Sequence, residues 1–394
     1  MNNYDFDERI NRRNTNCGKW DTMDKKYGDQ SLIHLGVADM DFQSPEPILK
    51  AFEQIVESGV FGYTDLNDEF YESIQRWFQK QYNITIPKEW IVFCPRINVS
   101  ASICIDTLTH IGDEILIHTP AYAPLKNAIE KNKRVAVSSP LIASNDGYSI
   151  DFEQMEQAVT DRTKMLILCS PHNPTGRVFR SDEIKQLADF CEKHDLLLYS
   201  DEIHGDITAE NIAHISMLDY SDPVNSRLIL ASSLTKTFNI PGVIISYMII
   251  PNKNIREQIA VTIDRLGMHN PNIFSVRAVE KGYQECDDWY EAVKKYINAN
   301  EIFVRQFFKN HMSDFHILPR EGTYLLWINY ETLKKTEQEM EKWFIEQAKV
   351  SVYMGSVFGI EGTGYIRFNL ATSKYTLVEA LMRMKEAYHL LSLQ

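Results

Sequence analysis

Two kinds of apolar spacing alternate through the middle of the chain. Met165–Cys169 (M-L-I-L-C) is a short apolar run closed by a turn-forming segment, and Leu196–Ser200 (L-L-L-Y-S) is a second such run. Between them Ile184, Leu187, Ala188 and Cys191 fall at i, i+3, i+4 and i+7, one face of a helix. Ser181 stands as its N-cap, with Asp182 and Glu183 in the first turn. The spacing predicts a βαβ unit whose strands are parallel and buried. The same grammar predicts a strand at Ile91–Cys94, a helix over Val99–Ile111, a strand at Glu114–His118 and, downstream, a strand at Leu228–Ala231.

After about Glu285 the pattern changes. A long helical stretch, Trp289–Asn310, precedes predicted strands Tyr324–Asn329 and Tyr365–Leu370, with helices over Glu337–Lys349 and Thr376–Leu390. The expected fold is α/β. A large domain with a mostly parallel central sheet flanked by helices spans residues 45–285, and a smaller α+β domain spans 286–394. Residues 1–44 carry little periodicity and are expected to pack on the smaller domain.

Composition agrees with two lobes. The chain has 394 residues, beyond the size of about 250–300 at which single cores stop growing. Hydrophobic residues at 44% and charged residues at 24% suit a globular protein that needs no covalent staples. A net charge of −13 opposes nonspecific binding to nucleic acid or anionic membranes, so neither is an expected partner. The opening M-N-N-Y-D-F-D-E lacks the basic and apolar regions of a signal peptide, and no uncharged apolar run reaches membrane-spanning length. Cysteines at 17, 94, 104, 169, 191 and 286 form no C-x-x-C pair, so neither a disulfide framework nor a metal site is expected. The expected location is the reducing cytoplasm.

Ligands of open α/β sheets bind beyond the carboxyl ends of the strands, so the residues there carry the candidate chemistry. S-P-H-N-P-T-G after Met165–Cys169 offers Asn173, and D-E-I-H after Leu196–Ser200 offers Asp201 and His204. S-S-L-T-K after Leu228–Ala231 offers Ser233, Thr235 and Lys236. T-P-A-Y after Glu114–His118 offers Tyr122, and P-R-I-N at a helix start offers the backbone amides of Ile97 and Asn98. Singly, each has an ordinary structural role: an Asp as a cap, a Lys on the surface, a Tyr in packing, N-P-T-G as a turn. Together they place an amine, a carboxylate, an aromatic face, an amide and an anion cradle at one edge.

That set fits pyridoxal 5′-phosphate. Lys236 provides the amine that condenses with an aldehyde, and burial near a cationic ring lowers its pKa. Asp201 would hold the proton on the ring nitrogen, and Tyr122 would flank the ring. Asn173 and His204 would reach the phenolic oxygen. Ile97, Asn98, Ser233 and Thr235 would meet the phosphate. The rival reading of T-K-T as a nucleotide-binding loop fails, because the preceding I-L-A-S-S-L-T contains no glycine.

Over nearly the whole chain these residues resemble the fold-type-I pyridoxal-phosphate enzymes, the large aminotransferase-like family. S-P-H-N-P-T-G-R-V resembles its S-x-x-N-P-T-G segment, L-L-Y-S-D-E-I-H its strand ending in the pyridine-binding Asp, and S-S-L-T-K-T-F its S-x-[ST]-K segment. G-Y-I-R-F-N-L-A resembles its strand bearing the arginine that grips the substrate carboxylate, here Arg367. Tyr365, Arg367 and Asn369 also alternate with Ile366, Phe368 and Leu370, which puts the arginine on the polar face of a strand.

Two departures resemble the cystathionine β-lyase/C–S lyase branch. Ile244 stands where many family members carry a phosphate-binding arginine, and D-E-I-H replaces D-x-x-Y. R-R-N-T-N-C-G-K-W-D and G-V-A-D-M-D-F are similar to that branch's N-terminal segments, the second placing Asp39 in the substrate-binding set. E-G-T-Y-L-L-W puts Tyr324 near the substrate, and Gly62-Tyr63 matches the site where a neighbouring subunit's tyrosine reaches the phosphate. The resemblance implies a homodimer with shared active sites acting on a small amino acid. The implied reaction is a β-elimination from cystathionine or another S-substituted cysteine, with Lys236, Tyr122 and Asp201 as the catalytic set. An aminotransferase and a cofactor-binding regulator without turnover are the alternatives.

Overall fold

The computed structural model describes residues 4–220 and 226–391, so the extreme positions of the expected first and last segments lie outside the described residues. The apolar runs become seven strands of one sheet: β1 (Ile91–Cys94), β2 (Glu114–Thr119), β3 (Val135–Pro140), β4 (Thr163–Cys169), β5 (Leu197–Asp201), β6 (Leu228–Ser232) and β7 (Ser246–Ile249). Their order across the sheet is β1-β7-β6-β5-β4-β2-β3. Every residue of β2, β6 and β7 is buried, because helices cover both faces.

One strand departs from the parallel pattern. β7 lies between β1 and β6 and pairs antiparallel with both. No long helix separates it from β6, so the chain after Lys236 doubles back instead of crossing over. Periodicity could not show this, since an antiparallel and a parallel buried strand read alike.

The helix after β1 spans Ile97–Leu108 (α1), and that after β4 spans Ser181–Lys193 (α2). The cap of α2 is Arg180 rather than Ser181, because the Glu183 carboxylate accepts the Arg180 N–H at 2.8 Å and draws Ser181 into the first turn. Helices Glu46–Ser58 and Asp68–Tyr82 pack against Ile273–Glu285 and complete the layers.

A second, antiparallel sheet is built from β8 (His316–Ile317), β9 (Leu325–Asn329), β10 (Tyr353–Met354) and β11 (Tyr365–Asn369), in the order β8-β9-β11-β10. The helix expected over Glu337–Lys349 ends at Lys342 and continues as a π turn, Trp343–Gln347. The N-terminal segment packs on this sheet. Ile33–His34 pairs with Val350–Ser351, and the Asn369 side chain donates to the carbonyls of Val37 and Asp39, each at 2.7 Å. The same segment also reaches the large sheet, where Asn239 donates to the carbonyls of Met40 (3.2 Å) and Phe42 (2.7 Å).

Candidate active site

The carboxyl ends of the parallel strands open into a cleft of about 710 Å³ including its mouth. Tyr122 arrives after β2, Asn173 after β4, Asp201 and His204 from the end of β5, and Thr235 and Lys236 after β6; Ile97 and Asn98 form the start of α1. Residues scattered over the sequence meet because every parallel strand points its carboxyl end the same way.

Lys236 Nζ donates to the carbonyl of Ala38 at 2.5 Å, and Tyr324 donates its hydroxyl to the same oxygen at 2.9 Å. Burial lowers the lysine's pKa to about 8; the charge of Arg367 pushes the same way, while Asp39 and Asp201 oppose it. Asp201 ends β5 between Cys169 and Ala231 of the flanking strands. Its Oδ1 accepts the Ile203 N–H at 3.1 Å, yet burial raises its pKa to about 7 against that bond and the charge of Lys236. Burial thus drives an acid and a base toward their neutral forms in the same cleft, a condition suited to proton transfer near neutral pH. His204 is buried, which depresses its pKa far enough to keep the imidazole neutral.

Arg367 sits on β11 opposite Trp327 and Tyr353. It donates to Asn173 Oδ1 at 2.9 Å and to the Gly36 carbonyl at 2.8 Å, with its guanidinium carbon 4.8 Å from the Phe358 ring centre and 5.0 Å from that of Tyr353. Burial lowers its pKa to about 10, which still leaves it cationic at pH 7. The loop carrying Asn173 is latched at Gly176 (φ +73°). The Gly176 N–H donates to the His172 carbonyl, and its own carbonyl accepts the N–H groups of Glu321 and Gly322.

Five residues singled out in the sequence lie off the cleft wall: Arg367, which reaches it through Asn173, and Ser233, Asp39, Tyr324 and Tyr63. Ser233 Oγ is 2.5 Å from the Ile245 carbonyl and 2.9 Å from Thr235 Oγ1, so its hydroxyl is engaged beneath the loop. Asp39 Oδ2 accepts from Arg12 at 2.6 Å, and its Oδ1 lies 3.7 Å from the buried Lys19 Nζ; Asp39 acts on Lys236 through its charge. Tyr324 faces the Ala38 carbonyl. Tyr63 is fully exposed, beside exposed Val60 and Phe61. Sequence reasoning missed the carbonyls of Gly36 and Ala38 and the rings of Phe358 and Tyr353. A carbonyl leaves no trace in side-chain identity, and neither ring falls in a periodic stretch.

The donor set fits pyridoxal phosphate. A half-buried amine and a buried carboxylate face one cleft, and the buried atoms His204 Nδ1 and Arg367 Nε have no hydrogen-bond partner among the described residues. A bound polar ligand would satisfy such atoms. Among the described residues no His, Cys, Asp and Glu cluster could hold a metal ion, and no helix is long and apolar enough to cross a membrane.

Comparison with known proteins agrees with this geometry. The pattern described as aminotransferase class I and II matches residues 30–384. The cystathionine beta-lyase PatB of Bacillus subtilis (strain 168) is 30% identical over 97% of this chain and 99% of its own. A Clostridium difficile 630 protein, solved with pyridoxal phosphate bound and provisionally named an aminotransferase, superimposes with a TM-score of 0.95. It is 36% identical, over 98% of this chain and 100% of its own. Cystalysin of Treponema denticola, whose structure contains a pyridoxal 5′-phosphate cofactor, gives a TM-score of 0.95 at 31% identity, over 99% and 100% of the two chains. The chain therefore belongs to the aminotransferase class I and II family, the fold-type-I pyridoxal-phosphate enzymes, in its C–S lyase branch.

Proposed function

We propose that this protein is a pyridoxal-phosphate-dependent carbon–sulfur β-lyase acting on L-cystathionine or related S-substituted cysteines. The observation that carries the reading is the meeting in one cleft of Lys236, its pKa lowered to about 8, and the buried Asp201 carboxylate. The likeness to PatB, named a cystathionine beta-lyase, supports elimination as the outcome.

When bound, pyridoxal phosphate supplies an aldehyde that bonds amines and a cationic ring that takes up electrons from the substrate's α-carbon. Lys236 would hold the aldehyde at rest and would be released when the substrate's amine takes its place. Asp201, ionised opposite a cationic ring, would keep the ring nitrogen protonated, Tyr122 would flank the ring, and Asn173 and His204 would serve its oxygen edge. The amides of Ile97 and Asn98, with Thr235, would meet the phosphate. Arg367 takes the substrate carboxylate through its planar fork. The freed, neutral Nζ of Lys236 would then remove the α-proton, the Cβ–S bond would break with its electron pair on sulfur, and Lys236 or Tyr122 would protonate the departing thiolate. Water converts the three-carbon remainder to pyruvate and ammonia.

The exposed Val60, Phe61 and Tyr63 form an apolar surface that we assign to a second copy of this chain, with Tyr63 reaching the other subunit's cleft. The free state of all six cysteines supports a cytoplasmic location.

Transamination is the second reading, supported by the name of the Clostridium difficile protein. One assay separates the two. Purified holoprotein given L-cystathionine without a keto acid should release pyruvate and free thiol together. Turnover that requires a keto-acid acceptor would overturn the lyase reading in favour of transamination, and cofactor binding without turnover on either substrate set would leave a binding protein.

A further inference from the structure

The phosphate of the cofactor carries nearly two negative charges at neutral pH, and the cleft must compensate them. The charged residues on the cleft wall are Arg96, Asp201 and Lys236. Asp201 has the wrong sign. Lys236 is held by the Ala38 carbonyl and serves the aldehyde in the reading above. Hydroxyl support is thin as well, since Ser233 is turned onto the Ile245 carbonyl. Ile244, on the same wall, brings no charge. Its backbone sits at φ +60°, a region a β-branched residue seldom enters, so its place is dictated by the surrounding fold.

Arg96 remains. It is the N-cap residue of α1, in extended conformation (φ −149°, ψ 150°), and its carbonyl accepts the N–H groups of Val99 and Ser100. Its side chain makes no capping bond and is exposed to solvent, and among the described residues no hydrogen bond or ion pair is seen at its guanidinium. It lines the same cleft as Ile97, Asn98, Thr235 and Ile244, whose amides and hydroxyl are the other candidate phosphate donors.

We infer that the Arg96 guanidinium is the principal cationic contact of the cofactor phosphate, an inference that rests on the pyridoxal-phosphate reading. A planar fork of N–H donors beside a helix start complements a phosphate, and an arginine with no protein acceptor gives up only water to meet it. The aliphatic Ile244 is then tolerated because the charge comes from Arg96 on the same cleft wall.

The test compares pyridoxal 5′-phosphate with pyridoxal, which lacks the phosphate, by absorbance titration of the apo-protein. Arg96→Ala should weaken pyridoxal phosphate about ten- to a hundredfold and leave pyridoxal unchanged. Arg96→Lys should retain most of the affinity, and adding Ile244→Arg to Arg96→Ala should restore part of it. Melting curves of the apo-variants verify that each is folded. Equal pyridoxal-phosphate affinity in wild type and Arg96→Ala overturns the inference, as does an equal loss for both ligands. If the wild type forms its Lys236 adduct while Arg96→Ala is unaffected, only this inference falls; if the wild type binds no cofactor, the underlying reading falls with it.

Discussion

The Nζ of Lys236 lies 2.5 Å from the carbonyl oxygen of Ala38, a residue 198 positions earlier in the chain. The N-terminal segment is therefore part of the site. It is fastened on one side by Asn369 and on the other by Asn239, three residues beyond the lysine. The Ala38 carbonyl also takes the Tyr324 hydroxyl, so one backbone oxygen orients the lysine and ties the second sheet to the first.

Burying this lysine opposes folding. Its pKa of about 8 in the folded chain lies below the ordinary 10.5, so the cost is complete below about pH 8, where both states are protonated, and vanishes above about 10.5. Lys236→Met should therefore stabilise the apo-protein by about 2–3 kcal/mol at pH 7, and the gain should shrink as pH rises toward 10.5. Denaturant unfolding at a series of pH values measures this, and an apo-variant no more stable than wild type at pH 7 would contradict it. The same variant should form no borohydride-reducible adduct with pyridoxal phosphate.

Asp201 is held by one N–H, from Ile203, and by burial between β4 and β6. Asp201→Asn preserves shape and removes the charge proposed to keep the ring nitrogen protonated. We expect kcat to drop about 10²–10³-fold with the fold intact. Steady-state kinetics with matched circular dichroism test the expectation; a kcat within a factor of a few of wild type would remove Asp201 from the mechanism.

Arg367 is anchored by Asn173, Gly36 and two aromatic rings before any substrate arrives. If Arg367 takes the substrate carboxylate as proposed, and alike in ground and transition states, Arg367→Ala should raise KM by more than about tenfold and change kcat less. Its loss also frees Asn173 Oδ1, so a small shift in the cofactor's absorbance should accompany it. An unchanged KM would exclude the carboxylate role.

Val60, Phe61 and Tyr63 expose apolar surface around a loop that carries no cleft residue of its own chain. Replacing Val60 and Tyr63 together by Asp should give a folded monomer by sedimentation velocity, with turnover lost. A dimer of unaltered stability in that variant would show that the surface serves another purpose.

Much of the site was legible in the amino-acid order because strand ends announce themselves. A buried parallel strand reads as an apolar run, and the polar residue that closes it points into the ligand edge, as Asn173, Asp201 and Lys236 do. Strand β7 was not legible in direction, since hydrogen-bond sense leaves no mark on side-chain type.

What the order of residues determined by itself was local: which segments bury apolar faces, and which chemical groups stand where those segments stop. What the tertiary structure alone decided was which of those groups share a cleft. It turned the Ser233 hydroxyl onto a carbonyl, drew Asp39 to Arg12, and brought the Gly36 and Ala38 carbonyls to Arg367 and Lys236. The physical reason is that backbone acceptors and burial act without regard to sequence distance. A pKa of about 8 on a lysine belongs to the packed surroundings, not to the residue.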